Sequence, residues 1–313
     1  MTSTSILAES RPEAKPRAGR KQRGRGDEHR PSPAGARRGS RTMVNVALVA
    51  GLVYTVAPLL FVILAACKTA SGTLSGDLFS FRELDPVANL KALAHQDGGV
   101  YFRWYLNSLF YAGVGAVGTG LICAGAGYAF DKFSFRGKEK LYGLVLVGVL
   151  VPGMATVLPL YLIASKIHLV NTVWAVLIPG FVSPFGVFLA RIFSESYVPD
   201  EVMEAARIDG ASDLRVFRSI GLPLLKPGIA TVMLFQFSAI WQGFYLPYVM
   251  LNDQKLYPVS LGLYIWNYEG TTENPALVAQ VLTGSALAIL PIIAIFAGLQ
   301  RYWRSGMTAG AVK

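Results

Sequence analysis

Six apolar runs, at roughly 43 to 66, 105 to 130, 141 to 164, 172 to 191, 228 to 250 and 279 to 300, constrain this chain more than any other feature. They hold no Asp, Glu, Lys, Arg or His apart from the Arg191 that ends the fourth. A hydrocarbon core of about 30 Å takes about 20 residues of helix, so each run is long enough to cross one. Hydrophobic residues make up 53% of the chain and charged ones 15%, and the apolar residues gather in blocks instead of an amphipathic period. The expectation is an all-α membrane protein with six transmembrane helices.

Orientation follows from where the Lys and Arg residues lie, because cytoplasmic segments carry the excess. The segment before 43 holds 11 of them, 131 to 140 holds 4, the region around 192 to 227 together with Arg191 holds 5, and the C-terminus holds 3. The alternating side holds six: Lys68, Arg82, Lys91, Arg103, Lys166 and Lys255. A split of 23 to 6 puts both termini in the cytoplasm and makes 67 to 104 an extracytoplasmic loop. Residues 1 to 42 mix this basic charge with repeated Pro, Gly and Ser and lack aromatics, the composition of a disordered tail that brushes anionic lipid. Without aromatic platforms or a folded module, no nucleic-acid partner is expected.

Cys67 and Cys123 fall at different depths, so free thiols are expected, and three scattered histidines give no zinc spacing. The lack of buried carboxylates argues against a carrier coupled to an ion gradient. Ala112, Ala116, Gly120 and Ala124, four residues apart, put small side chains on one stripe where another helix can approach closely. In the fifth run Gln236, Trp241, Gln242 and Tyr245 combine amide and aromatic groups suited to a sugar ring, and they are the candidate solute path. Between 251 and 278, Tyr264, Trp266 and Tyr268 decorate what reads as an outer loop, either a contact for a partner or a plain connection.

The polar break between the fourth and fifth runs carries the most specific pattern. Pro199 suits a first helical turn, Asp200 and Glu201 favour a helix N-terminus, and Gly210 suits a left-handed cap, which predicts a helix over 199 to 209. Val202, Ala205 and Ala206 are expected on one low face with Glu204 beside it. Ser212 is expected to cap a second helix that runs through Ile220 and closes at Pro223.

Glu204-Ala205-Ala206, three residues, Gly210, nine residues, then Ile220-Gly221-Leu222-Pro223 resembles the EAA loop of permease subunits of ATP-binding-cassette (ABC) importers. The resemblance runs from about residue 100 to the C-terminus and is nearest to carbohydrate-type permeases similar to maltose and glycerol-phosphate systems. Asn107-Ser108, Ala126-Gly127-Tyr128-Ala129-Phe130, Pro223-Leu224-Leu225-Lys226-Pro227-Gly228 and Gly306-Met307-Thr308-Ala309-Gly310 carry it further. The fifth run departs from it, with Trp241-Gln242-Gly243-Phe244-Tyr245-Leu246-Pro247 where relatives carry Trp-Asn.

What the resemblance implies is a type I ABC importer permease fold over 105 to 300, with a coupling loop at 192 to 227 and 301 to 313 as a cytoplasmic C-terminus. Glu204, Ala205, Ala206, Asp209, Gly210, Ile220, Leu222 and Pro223 would couple to the ATPase. The implied partners are a second, non-identical permease, two ABC ATPase subunits and an extracytoplasmic solute-binding protein, in a bacterial plasma membrane. The chain lacks a phosphate-binding G-x-x-x-x-G-K-[ST] loop, so no cofactor and no enzymatic activity of its own are expected, with ATP held by the partner subunits. The alternatives are a secondary carrier that does not depend on ATP, or an importer permease for a non-sugar solute.

Overall fold

A computed structural model of the protein describes residues 34–69, 72 and 84–298. The basic segment before 34 and the closing segment from 301 lie outside the described residues. The chain falls into two units, Met1–Tyr54 and Thr55–Lys313. In the first, the described residues form the leading part of helix α1 (Ala34–Cys67), which begins nine residues before the expected 43. Its apolar side chains from Met43 to Tyr54 are exposed, the pattern of a helix that meets lipid.

The second unit is built around one long helix. After α2 (Pro86–His95), a turn places Asp97, Gly98 and Gly99 at positive φ, and α3 (Val100–Lys132) follows. The expected loop over 67 to 104 therefore holds a helix and the first turn of α3. Asn89 of α2 donates to the carbonyls of Ala66 and Lys68 at 2.9 and 2.6 Å, which fastens α2 to the end of α1. Next come α4 (Lys138–Leu150), α5 (Gly153–Lys166), α6 (Trp174–Gly180) and α7 (Pro184–Tyr197). Three short elements, α8 (Asp200–Ile208), α9 (Asp213–Val216) and α10 (Leu222–Leu224), lead into α11 (Lys226–Gln242). Finally α12 (Tyr245–Met250), α13 (Val259–Thr272) and α14 (Leu277–Ala288) complete the described chain.

Four helices among the described residues are long and apolar enough to cross a membrane, and six if each bent pair counts as one crossing. The third run is such a pair, α4 and α5, bent by 107°. Pro152 stands at the break, where its ring and missing N–H forbid a continuous helix. Pro184 likewise opens α7 and Pro247 lies in the first turn of α12, whereas Pro58, Pro159 and Pro179 lie inside α1, α5 and α6.

α3 packs along α11 and α7, and the small-residue stripe explains how. Ala112, Ala116, Gly120 and Ala124 are all buried. A methyl added at Gly120 would stand 2.6 Å from Met233 Cγ, so the glycine lets the Met233 side chain of α11 lie close against α3, and any larger residue there would turn it aside. On the adjoining face the same test at Gly127 meets Ala190 C at 2.5 Å, so α3 and α7 touch backbone to backbone.

At the N-terminal end of α3, Trp104 and Trp266 pack with ring centroids 4.6 Å apart in the main core. Each indole N–H is used, Trp104 donating to Gln254 O at 2.8 Å and Trp266 to Asp97 Oδ2 at 2.9 Å. Asn107 holds the carbonyls of Lys255 and Tyr257, and Ser108 Oγ accepts from Val259 N at 2.7 Å. Two corrections follow for 251 to 278. The segment contains a 14-residue helix, and Trp266 is a core residue instead of a surface contact, while Tyr264 and Tyr268 remain exposed. Paired indoles with bonded N–H groups can be buried, and sequence alone did not show the partners.

Candidate functional site

The break between α7 and α11 forms a structured hairpin. α7 ends where Val198 N donates to Ser194 O, and Pro199 forces Val198 into extended backbone, so the chain turns and restarts as α8. Asp200 and Glu201 occupy the first turn of α8 and Arg207 the last, each on the side the helix dipole favours. At its end Ala211 N donates to Ala206 O and Gly210 N to Arg207 O, both at 3.0 Å, with Gly210 at φ +78°. These are the two bonds of a Schellman cap around a left-handed glycine. Arg207 Nε then reaches Asp213 Oδ1 at 3.1 Å across the turn.

Beyond that turn the structure departs from expectation. Ser212 precedes α9 but its side chain makes no capping bond. The helix ends at Leu224, one residue after Pro223. Residues Phe217–Gly221 widen into a π-turn in which Leu222 N donates to Phe217 O, and α10 follows directly with Pro223 in its first turn. In a regular α-helix the ring of Pro223 would meet the Ser219 carbonyl, and the π-turn interrupts that regular pattern just before it. The bend comes later, 72° between Asp213–Leu224 and α11.

One side of α8 is a floor. Met203 is buried with Tyr128, Val198, Val216 and Leu225, and Tyr128 OH lies 3.6 Å from Met203 Sδ. Asp200 Oδ1 meets Lys132 Nζ, at the end of α3, at 2.6 Å. The hydrogen bond from Lys132, and then its charge, hold the Asp200 carboxyl below its ordinary 3.8. A lowered carboxylate contributes above its unfolded value, so this contact is kept at neutral pH and lost as pH falls through the lowered value.

The other side of α8 has no cover. Val202, Ala205 and Ile208, three residues apart, are exposed, with Glu201 and Glu204 flanking them and Leu214 beyond the turn. Ile208 is 86% exposed, unusual for a large aliphatic side chain outside the apolar runs. Ala206 departs from its expected place: it turns inward beside Met203, so the outward face is Val202, Ala205 and Ile208. Ile208 and Leu214 were missed in the sequence, although two aliphatic residues in a polar hairpin were a usable signal.

Of the remaining expected contact residues, Asp209 caps α8 through its backbone and Ile220 packs against the floor. Leu222 and Pro223 line a cleft of about 530 Å³ with Arg218, Lys226 and Met233. The four candidate solute-path residues divide in two. Gln236 donates to Gly180 O at 2.8 Å, and Trp241 is buried, stacked on Phe237 and donating to Ala288 O at 3.0 Å. Gln242 and Tyr245 are exposed on either side of the Gly243 break. Trp241→Phe is expected to cost about 1 to 2 kcal/mol through the lost hydrogen bond, read as a lower unfolding midpoint in detergent. Among the described residues, no group of three His, Cys, Asp or Glu gathers as a cation site.

Comparison with known proteins points the same way. Residues 116–308 match the family model described as "Binding-protein-dependent transport system inner membrane component". The chain is 34% identical over 219 residues to an arabinooligosaccharides transport system permease protein of Halalkalibacterium halodurans, covering 69% of this chain and 76% of that one. It is also 34% identical over 220 residues to the maltodextrin transport system permease protein of Bacillus subtilis, covering 69% and 77%. Among solved structures, a bacterial ABC transporter involved in the import of the acidic polysaccharide alginate aligns with a TM-score of 0.73 at 22% identity, over 85% of this chain and 97% of that one, which speaks to the fold.

Proposed function

We propose, from the premise that this chain belongs to the family of binding-protein-dependent transport system inner membrane components, that it is the permease subunit of an ATP-driven importer for an oligosaccharide. It forms half of a pore of six crossings with both termini in the cytoplasm of a bacterial inner membrane. A second permease supplies the other half, an extracytoplasmic binding protein delivers the solute, and two separate ATPase subunits drive the cycle. The named solutes of the similar permeases support the carbohydrate class.

The observation that carries this reading is the uncovered face of α8. Val202, Ala205 and Ile208 form a short apolar strip on a helix whose opposite side is anchored in the protein. Apolar residues grouped on an otherwise polar hairpin mark a contact surface. Ala205 at the centre keeps the strip low, so the helix fits a partner's groove, and Glu201 and Glu204 provide a charged rim. Closing of the ATPase pair displaces the docked α8 and, through α7 and α11, alternates access to the pore.

The test is to isolate the complex from native membranes through a tag on this chain. An ABC ATPase, a second permease and a binding protein are expected to come with it. Uptake of an arabino-oligosaccharide or maltodextrin into vesicles holding this chain alone, without ATP but dependent on an ion gradient, would replace this reading with a secondary carrier.

A further inference from the structure

Two ion pairs meet at one side chain, Lys132, the last residue of α3. This cation is only 7% exposed, with Nζ 3.1 Å from Asp131 Oδ2 and 2.6 Å from Asp200 Oδ1. One turn back on α3, Tyr128 OH touches Met203 Sδ. Residues 128 and 132 share a face of α3, and residues 200 and 203 share a face of α8, so the two contacts form parallel rungs between the helices.

Two rungs do what one cannot. A single contact leaves a nine-residue helix free to roll about its axis, and one residue step of about 100° would turn Ala205 out of the docking strip. With Met203 seated in the floor and Asp200 held by a buried cation, the roll is blocked and Val202, Ala205 and Ile208 stay outward. The rungs also join α8 to a helix it does not follow in the chain. α8 is continuous with α7 and α9, whereas α3 is the helix that packs on both α7 and α11.

Resting on the importer reading above, we propose that Lys132 is a positioning residue that, with Tyr128, locks α8 to α3, so that displacement of a docked α8 is passed into α3 instead of being lost as rolling. Lys132 touches neither ATPase nor solute in this account. The fixed angle of α8 is its product.

The experiment uses the intact complex purified through this chain, as wild type and as Lys132→Met, Lys132→Arg, Asp200→Asn and the Lys132→Met/Asp200→Asn double variant. Backbone hydrogen exchange is followed in α8 and in the last three turns of α3, with and without a non-hydrolysable ATP analogue. In Lys132→Met the amides of α8 are expected to exchange about threefold faster, the loss of a charge-assisted hydrogen bond whose acceptor, Asp200, is largely exposed. The analogue is expected to alter exchange in α3 of the wild type and of Lys132→Arg, and to leave α3 unchanged in Lys132→Met and Asp200→Asn. The double variant is expected to be no worse than either single change. A residue that only stabilised the fold would shift the baseline without removing the nucleotide response. An α3 response in Lys132→Met equal to wild type overturns the proposal while the importer reading stands. Wild-type protein that brings no ATPase with it overturns both.

Discussion

Ala205→Arg is expected to leave this protein folded in the membrane and to weaken its hold on the ATPase subunit by about two orders of magnitude. The fold is spared because Ala205 lies on the exposed side of α8, opposite Met203, and arginine is nearly as good a helix former as alanine. Docking suffers because the strip Val202, Ala205 and Ile208 is low only at its centre, and a long cation there lifts the helix out of any groove that fits alanine. Loss at the centre of a small interface is typically worth about 2 to 4 kcal/mol, and each 1.4 kcal/mol is about tenfold in affinity. The readout is the ATPase recovered per permease on a tag, with the yield of monodisperse permease as the control. Equal recovery from Ala205→Arg and wild type would show that the strip is not the contact.

Gly127→Val has the largest expected effect on the fold itself. A Cβ at 127 would stand 2.5 Å from Ala190 C and 2.6 Å from Arg191 N. Those are backbone atoms, which cannot rotate away as a side chain does, so α3 and α7 must separate. Overpacking of cores typically costs about 1 to 3 kcal/mol, and an obstacle made of backbone belongs at the upper end. The separation would also open the floor under α8, because Tyr128 is the next residue along α3. Gly125 supplies the control, since a Cβ there has no neighbour within 4 Å. The expected result is a steep loss of folded, monodisperse Gly127→Val in detergent with Gly125→Val close to wild type. Similar stability in the two variants would contradict the backbone contact.

Much of this architecture was legible because lipid simplifies the problem. Long apolar runs can only be helices there, and a stripe of small residues at four-residue spacing has to be a packing face, as Ala112, Ala116, Gly120 and Ala124 are. The start and end of α8 were also readable, since Pro199 and Gly210 each have one strong local preference. What stayed hidden depends on partners far away in sequence. Trp266 looked like a loop aromatic until Trp104 and Asp97 were seen beside it. Ala206 looked equivalent to Ala205 because the floor that draws it inward comes from residues as distant as Tyr128 and Leu225. Pro223 does stand at the stop, one residue before the helix ends at Leu224, but the π-turn just before it was not readable. The Lys132–Asp200 contact joins residues 68 apart, beyond the reach of any local rule.

A photo-crosslinking amino acid placed singly at Ala205, Ile208 and Met203 in the assembled complex reads whether a separate ATPase holds the open face of α8. Adducts to the ATPase subunit are expected from 205 and 208 and none from the buried 203. If no adduct to a nucleotide-binding subunit forms from 205 or 208 in either the presence or the absence of ATP, α8 is not the point of coupling.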